Sequence, residues 1–147
     1  MSKALIVYAT RNGETEKIAD IIAEGIRLSL AEVSVCDVKK IKNAEEIAGY
    51  DAYVFGSSTY HGEMMTTMKT FLFLAEQAEL KDKIGGTFGS YGWSGEAATR
   101  IFDTMKNIYG MNMVGAPLML KTVSIEGGLK AAQDYGREIG ERLAVGR

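Results

Sequence analysis

The chain has 147 residues, 46% of them hydrophobic and 24% charged, the size and composition of one globular domain, so residues 1–147 read as a single unit rather than two packed domains. The 17 basic and 19 acidic residues leave a net charge of −2, with no basic excess to neutralise the phosphates of a nucleic acid. The only cysteine, Cys36, and the only histidine, His61, leave no internal disulfide, no set of sulfur ligands for zinc or iron–sulfur binding and no supported Cys-His nucleophile; no metal site and no catalytic residue is assigned.

At the N-terminus, Ala4-Leu5-Ile6-Val7 with Tyr8 is too short an apolar run for a signal sequence or a spanning helix, so no membrane insertion and a cytoplasmic location are expected. Lys3 to Ala9 is apolar without alternation, the pattern of a parallel strand covered on both faces, and a polar turn follows at once. From Glu14, the residues Ile18, Ile21, Ile22, Ala23, Ile26 and Leu30 recur at helical spacing with charged residues opposite, which predicts an amphipathic helix packed on that strand. Val33 to Val38 then reads as a strand, with Cys36 as an inert core thiol. Asn43 to Ala48 reads as a short helix, and Ala52 to Gly56 as another buried strand.

Helical signals resume near Met65 and run through Lys69, Phe71, Leu72 and Leu74; packing is the expected use of Met64, Met65 and Met68. Ile84 to Gly89 is a fourth strand despite Gly85 and Gly86, and Glu96 to Ile108 is helical with Ile101, Phe102, Met105 and Ile108 on one face. Met111 to Leu120 makes a fifth strand. Pro117 lies inside it, which predicts an edge position or a break at a bulge. Gly128 to Leu143 is a closing helix. Five strands alternating with helices predict an α/β fold, an open doubly wound parallel sheet with helices on both faces. Right-handed crossovers place ligand chemistry at the carboxyl ends of the strands.

Three loops at such ends have unusual composition. Thr10-Arg11-Asn12-Gly13-Glu14-Thr15 offers hydroxyls, an amide and a glycine at a helix start, the components of an anion cradle, although an ordinary capped turn has similar composition. It is neither a Walker A sequence nor a G-x-G-x-x-G fingerprint. A phosphoacceptor receiver is excluded, because the first and third strands end in Tyr8-Ala9-Thr10 and Gly56-Ser57-Ser58 rather than in acidic residues. Gly56-Ser57-Ser58-Thr59-Tyr60-His61-Gly62-Glu63 and Gly89-Ser90-Tyr91-Gly92-Trp93-Ser94-Gly95 surround aromatic residues with small polar ones. That suits a flat aromatic ligand, while packing at the rim of the core is the bland alternative for either loop alone.

With these loops on one sheet edge, the chain resembles the flavodoxin family over essentially its whole length. Thr10 to Thr15 resembles the family's flavin-phosphate loop, T/S-x-T/S-G-x-T/S, and the other two loops resemble the segments flanking the isoalloxazine ring. The similarity is greatest to the flavodoxin-like module of flavodiiron proteins, through Thr15-Glu16-Lys17, Gly56-Ser57-Ser58-Thr59, Phe88 to Gly95 and Pro117-Leu118. The resemblance implies a flavodoxin-like five-stranded sheet of order 2-1-3-4-5 and a noncovalently bound FMN. The implied contacts are Thr10, Arg11, Asn12, Gly13, Glu14 and Thr15 at the phosphate, and Ser57, Ser58, Thr59, Tyr60, His61, Gly62, Ser90, Tyr91, Gly92, Trp93 and Gly95 around the ring.

Trp93 and Tyr60 are the expected partners of the two ring faces, with Tyr91 as a substitute. The family resemblance also implies a backbone carbonyl that turns to meet N5 of the reduced flavin. Here the candidate is the His61-Gly62 peptide, since glycine carries the positive φ of a type II turn without penalty. The implied function is low-potential electron transfer between a redox donor and a redox acceptor. Two departures bear on it: Asn12 stands where the family usually has a hydroxyl, and −2 is much less acidic than flavodoxins usually are. An NAD(P)H-dependent quinone or metal-ion reductase on this fold needs a second pocket that no insertion supplies. A flavin-free interaction module has no need of the retained hydroxyls and aromatics.

Overall fold

The computed structural model describes residues 2–11, 13–60, 63–91, 96–121 and 127–145, with only the backbone of Tyr60. In chain order its elements are β1 (Lys3–Ala9), α1 (Glu14–Arg27), β2 (Glu32–Asp37), β3 (Ala52–Tyr60), β4 (Glu63–Met64), α2 (Thr66–Ala75), β5 (Ile84–Ser90), α3 (Glu96–Asp103), β6 (Asn112–Met113), β7 (Leu118–Leu120) and α4 (Gly128–Val145). The parallel sheet has the order β2-β1-β3-β5-β6, with β7 also on the outer edge of β5 and β4 antiparallel to the end of β3. The expected fifth strand is thus present as two pieces on one edge, and the order 2-1-3-4-5 holds.

The lack of alternation in β1 has a direct cause. Leu5, Val7 and Ala9 enter the layer shared with α2 and α3, whereas Ala4, Ile6 and Tyr8 enter the layer shared with α1 and α4. Successive side chains point to opposite faces, and here both faces are covered. On the second of these faces α1 and α4 approach closely at Gly25 and Gly136. A Cβ on Gly136 would run into the Ile22 carbonyl, and one on Gly25 into the Gln133 carbonyl.

The break in the edge strand has a visible repair. From Gly85↔Met113 to Phe88↔Leu118, β5 advances three residues while the edge advances five, and Pro117, which has no N–H to donate, lies in the excess. Gly85 O accepts Val114 N at 2.8 Å. Thr87, two residues on, faces the same side and has no strand partner there among the described pairings; its N–H donates instead to the Tyr135 hydroxyl of α4 at 2.8 Å. A side chain from the helical layer thereby completes the ladder where the proline interrupts it.

Several expected features change. Helix α1 ends at Arg27, and Leu30 takes a left-handed φ of 65° and is 75% exposed, so it leaves the apolar stripe. The residues Asn43 to Ala48 form only a 3₁₀ turn, Ala44–Ile47, capped by the Asn43 side chain. After α3 a π turn spans Thr104–Ile108, closed by Tyr109 N to Thr104 O. The wider turn shifts the phase of the stripe, so Ile108 is 65% exposed while Tyr109 is buried and donates its hydroxyl to the Leu72 carbonyl. Cys36 is half-buried rather than in the core, because β2 is the outer strand beside β1. Burial raises its thiol pKa. Met64 and Met68 are buried and Met65 packs against them, so these methionines serve the core.

Candidate functional site

The register of the three central strands brings the loops together. Ala9 pairs with Ser57 and Ser57 with Gly89, while Ser58 pairs with Ser90. Thr10, just past β1, and Ser90, at the end of β5, are therefore level with Ser58, while β3 runs two residues further to Tyr60.

After β1, Gly13 adopts φ 90° as the residue preceding α1, and a Cβ placed there meets nothing within 4 Å. The left-handed conformation, not a shortage of space, is what calls for glycine. Its N–H donates to Thr10 Oγ1 at 2.9 Å, and its carbonyl accepts Lys17 N at 3.2 Å as the first bond of the helix. Gly13, the residue preceding α1, brings no side-chain cap, and the positive end of the helix dipole lies at the loop. Glu14 is ion-paired to Lys17 Nζ at 3.3 Å on the exposed side. Tyr8, beneath the same turn, has its hydroxyl pKa pushed up to about 12 by burial and then by Glu16.

The floor of this end is a cluster of hydroxyls. Thr15 Oγ1 lies 2.8 Å from Ser58 Oγ and 2.7 Å from Ser90 Oγ, and Ser90 Oγ lies 3.3 Å from Ser58 Oγ. Ser58 Oγ also accepts the Arg11 N–H at 3.2 Å. Three segments far apart in sequence thus meet through buried polar atoms.

The second loop is tied down on both sides. Ser57 Oγ donates to the Ser58 carbonyl at 2.9 Å and accepts Met65 N at 3.0 Å. Thr59 Oγ1 accepts Ala97 N at 3.2 Å, capping the first turn of α3. Strand β4 folds back so that Tyr60 pairs with Glu63. Glu63 then bridges two helices, with Lys69 Nζ of α2 at 2.9 Å and Arg100 Nε of α3 at 3.0 Å. The hydrogen bond from Lys69, followed by the charge of Arg100, lowers the Glu63 pKa. In the third loop Tyr91 N donates to the Leu120 carbonyl at 3.2 Å, which anchors it to β7.

Of the residues singled out by sequence, Thr10, Arg11, Gly13, Glu14, Thr15, Ser57, Ser58, Thr59, Ser90 and Tyr91 lie on the adjoining ends of these strands and on the start of α1. Asn12, His61, Gly62, Gly92, Trp93 and Gly95 lie outside the described residues, as does the Tyr60 side chain. Glu63 is the residue that sequence reasoning left without a role. Its partners are set by the packing of two helices, and no local spacing signals them. Among the described residues no cluster of side chains has the makings of a metal site.

A doubly wound α/β domain with a glycine-led helix start and a hydroxyl floor at its switch point belongs to the class that binds phosphorylated ligands at the strand ends. The family described as Flavodoxin domain matches residues 5–113. A flavodoxin of Clostridium beijerinckii is 32% identical over 140 residues, covering 95% of this chain and 97% of the relative. A solved flavodoxin from the domain Archaea superposes with a TM-score of 0.88 at 31% identity, covering 96% of this chain and 98% of that one. The rubredoxin oxygen:oxidoreductase of Desulfovibrio gigas superposes with a TM-score of 0.90 at 26% identity over 99% of this chain, which spans 37% of that larger protein. The chain belongs to the flavodoxin family, whose members are FMN-binding electron-transfer proteins.

Proposed function

We propose that residues 1–147 act as one FMN-binding domain that carries single electrons between redox proteins in the cytoplasm. The observation that carries this reading is the end of β1. A helix start, opened by the left-handed Gly13, stands over a buried floor of Thr15, Ser58 and Ser90 hydroxyls. Backbone N–H groups, a helix dipole and hydroxyls fit a phosphate ester and have little to offer an uncharged ligand. When bound, FMN supplies the redox chemistry.

The chain's own residues bind and orient. Thr10, Arg11, Asn12, Gly13, Glu14 and Thr15 surround the phosphate, with the Arg11 and Gly13 N–H groups tying the loop to Ser58 and Thr10. Thr59, Tyr60, His61 and Gly62 border one side of the ring, and Tyr91, Gly92, Trp93 and Gly95 the other, while Ser57, Ser58 and Ser90 support these loops from the strand ends. Thr59 and Glu63 hold the second loop against α3, and Tyr91 holds the third against β7. The described ends of both ring-flanking loops are therefore anchored to the sheet and its helices. No helix among the described residues is long and apolar enough to cross a membrane, in keeping with partners met in the aqueous phase.

Titration of the apoprotein with FMN tests the reading. Saturable binding with quenched flavin emission is expected, and Trp93→Ala should restore much of that emission. A protein that purifies without flavin absorption and fails to bind added FMN refutes it. Stepwise anaerobic reduction of the loaded protein then separates carrier from reductase. A carrier passes through a stable one-electron state, whereas rapid oxidation of NAD(P)H by the protein alone indicates an enzyme.

A further inference from the structure

We infer that Ser90 is a positioning residue, the tail of a three-hydroxyl relay running Ser90→Thr15→Ser58 that aims one O–H at the ligand's phosphate and thereby selects phosphorylated over unphosphorylated flavin. The inference rests on the flavin reading above and deepens it.

The argument is a count of protons. Each hydroxyl has one donor proton, and Thr15 Oγ1 makes both short contacts of the triangle, 2.8 Å to Ser58 and 2.7 Å to Ser90. Whichever atoms donate, those two bonds consume two of the three protons. The third closes the triangle along the 3.3 Å side, where Ser90 donates to Ser58; this longest and weakest side is the one that gives way when an acceptor stands outside the triangle.

Burial and backbone contacts decide which hydroxyl turns outward. Thr15 is 0% exposed, so its proton stays inside. Ser58 and Ser90 keep 6% and 4%, but Ser58 is the one whose oxygen accepts the Arg11 N–H and so adjoins the first loop. With Ser58 donating outward, Thr15 must donate to Ser58 and Ser90 to Thr15. Every proton then has an acceptor, and each bond polarises the next toward the anion. Ser90, at the far end of the relay, belongs to the strand whose next loop flanks the ring. A residue placed by its neighbours at the ring therefore acts on the phosphate.

The test measures Kd for FMN and for riboflavin with the apoprotein forms of wild type, Ser90→Ala, Ser58→Ala and the double variant. Ser90→Ala should weaken FMN binding about fivefold to tenfold, the size of one hydrogen bond, and leave riboflavin within about twofold, a shift well under 1 kcal/mol. Ser58→Ala should cost FMN more. The double variant should bind FMN as Ser58→Ala does, because a relay without its head gains nothing from its tail.

If Ser90→Ala weakens FMN and riboflavin equally, Ser90 serves the ring or the fold and the relay is wrong. Multiplicative losses in the double variant overturn it as well. Failure of wild type to bind FMN overturns the flavin reading and this inference with it, an outcome distinct from either. Ser90→Cys, which keeps the volume with a weaker donor, provides the same comparison should the alanine variant fold poorly, with a smaller selective loss of FMN expected.

Discussion

Two of the ligand loops differ in what fastens them. The loop after β1 rests on buried hydroxyls contributed by α1, β3 and β5, while the loop after β3 adds to the hydrogen bonds of Ser57 and Thr59 an exposed carboxylate between two exposed cations on its outer side. Buried neutral hydrogen bonds are costly to leave unmade and indifferent to salt. Exposed ion pairs contribute little, and less as ionic strength rises. The first arrangement suits a loop that must present fixed donors to an anion. The second is sensitive to ionic strength.

The strongest way to break this contrast is at its centre. Thr15→Val keeps the shape of the side chain and removes the atom on which Ser58 and Ser90 converge, so FMN binding should weaken by about 2–3 kcal/mol. Titration of the apoprotein reads the effect, and unchanged affinity removes the hydroxyl floor from the binding account. Tyr135→Phe is the matching control far from the loops. It leaves the Thr87 N–H unpaired at the strand break, which should lower thermal stability by about 1–3 kcal/mol with FMN affinity unmoved. A loss of affinity in this variant would mean that the floor depends on sheet integrity rather than on its own bonds.

Gly13→Ala tests the backbone share of the first loop. Since a Cβ there has open space, the cost is that of the left-handed conformation, about 1–2 kcal/mol, and it should appear in apoprotein stability as well as in FMN affinity. The smallest effect belongs to Glu63→Gln. It should shift stability slightly at low salt and not at high salt, while changing the flavin midpoint potentials more noticeably than FMN affinity.

The pH dependence of that contribution has a definite sign. The Glu63 pKa lies below its ordinary 4.5, so its share of stability is present above 4.5 and is lost as pH falls through the lowered folded value. Urea titrations between neutral and acid pH should show this loss in wild type and not in Glu63→Gln. An equal acid loss in both would assign it to other carboxylates.

Much of this is legible in the sequence. The unbroken apolar run in β1, the stripe of Ile18, Ile22 and Ile26 in α1 and the turn chemistry around Gly13 are local properties, read from residue type and spacing, and each survives in the structure. Pro117 also spoke locally, because a residue without an N–H cannot sit inside a central ladder. The phase of α3 was not legible. A π turn adds no distinctive residue, and only burial reveals that Tyr109 rather than Ile108 continues the packed face.

The sequence by itself determined the alternation of elements, the sheet class, the three polar loops at strand ends and, through motif resemblance, the family. Periodicity and turn propensity act over a few residues and are written in neighbouring letters. The tertiary structure decided what those loops share. Thr15, Ser58 and Ser90 are separated by 43 and 32 positions, and nothing in their spacing pairs them until the strand register sets β1, β3 and β5 side by side. The union of Glu63 with Lys69 and Arg100 depends likewise on where two helices pack, as does the bond from Thr87 to Tyr135 across the strand break. Contacts of this kind are products of register and packing, long-range quantities that no local pattern encodes.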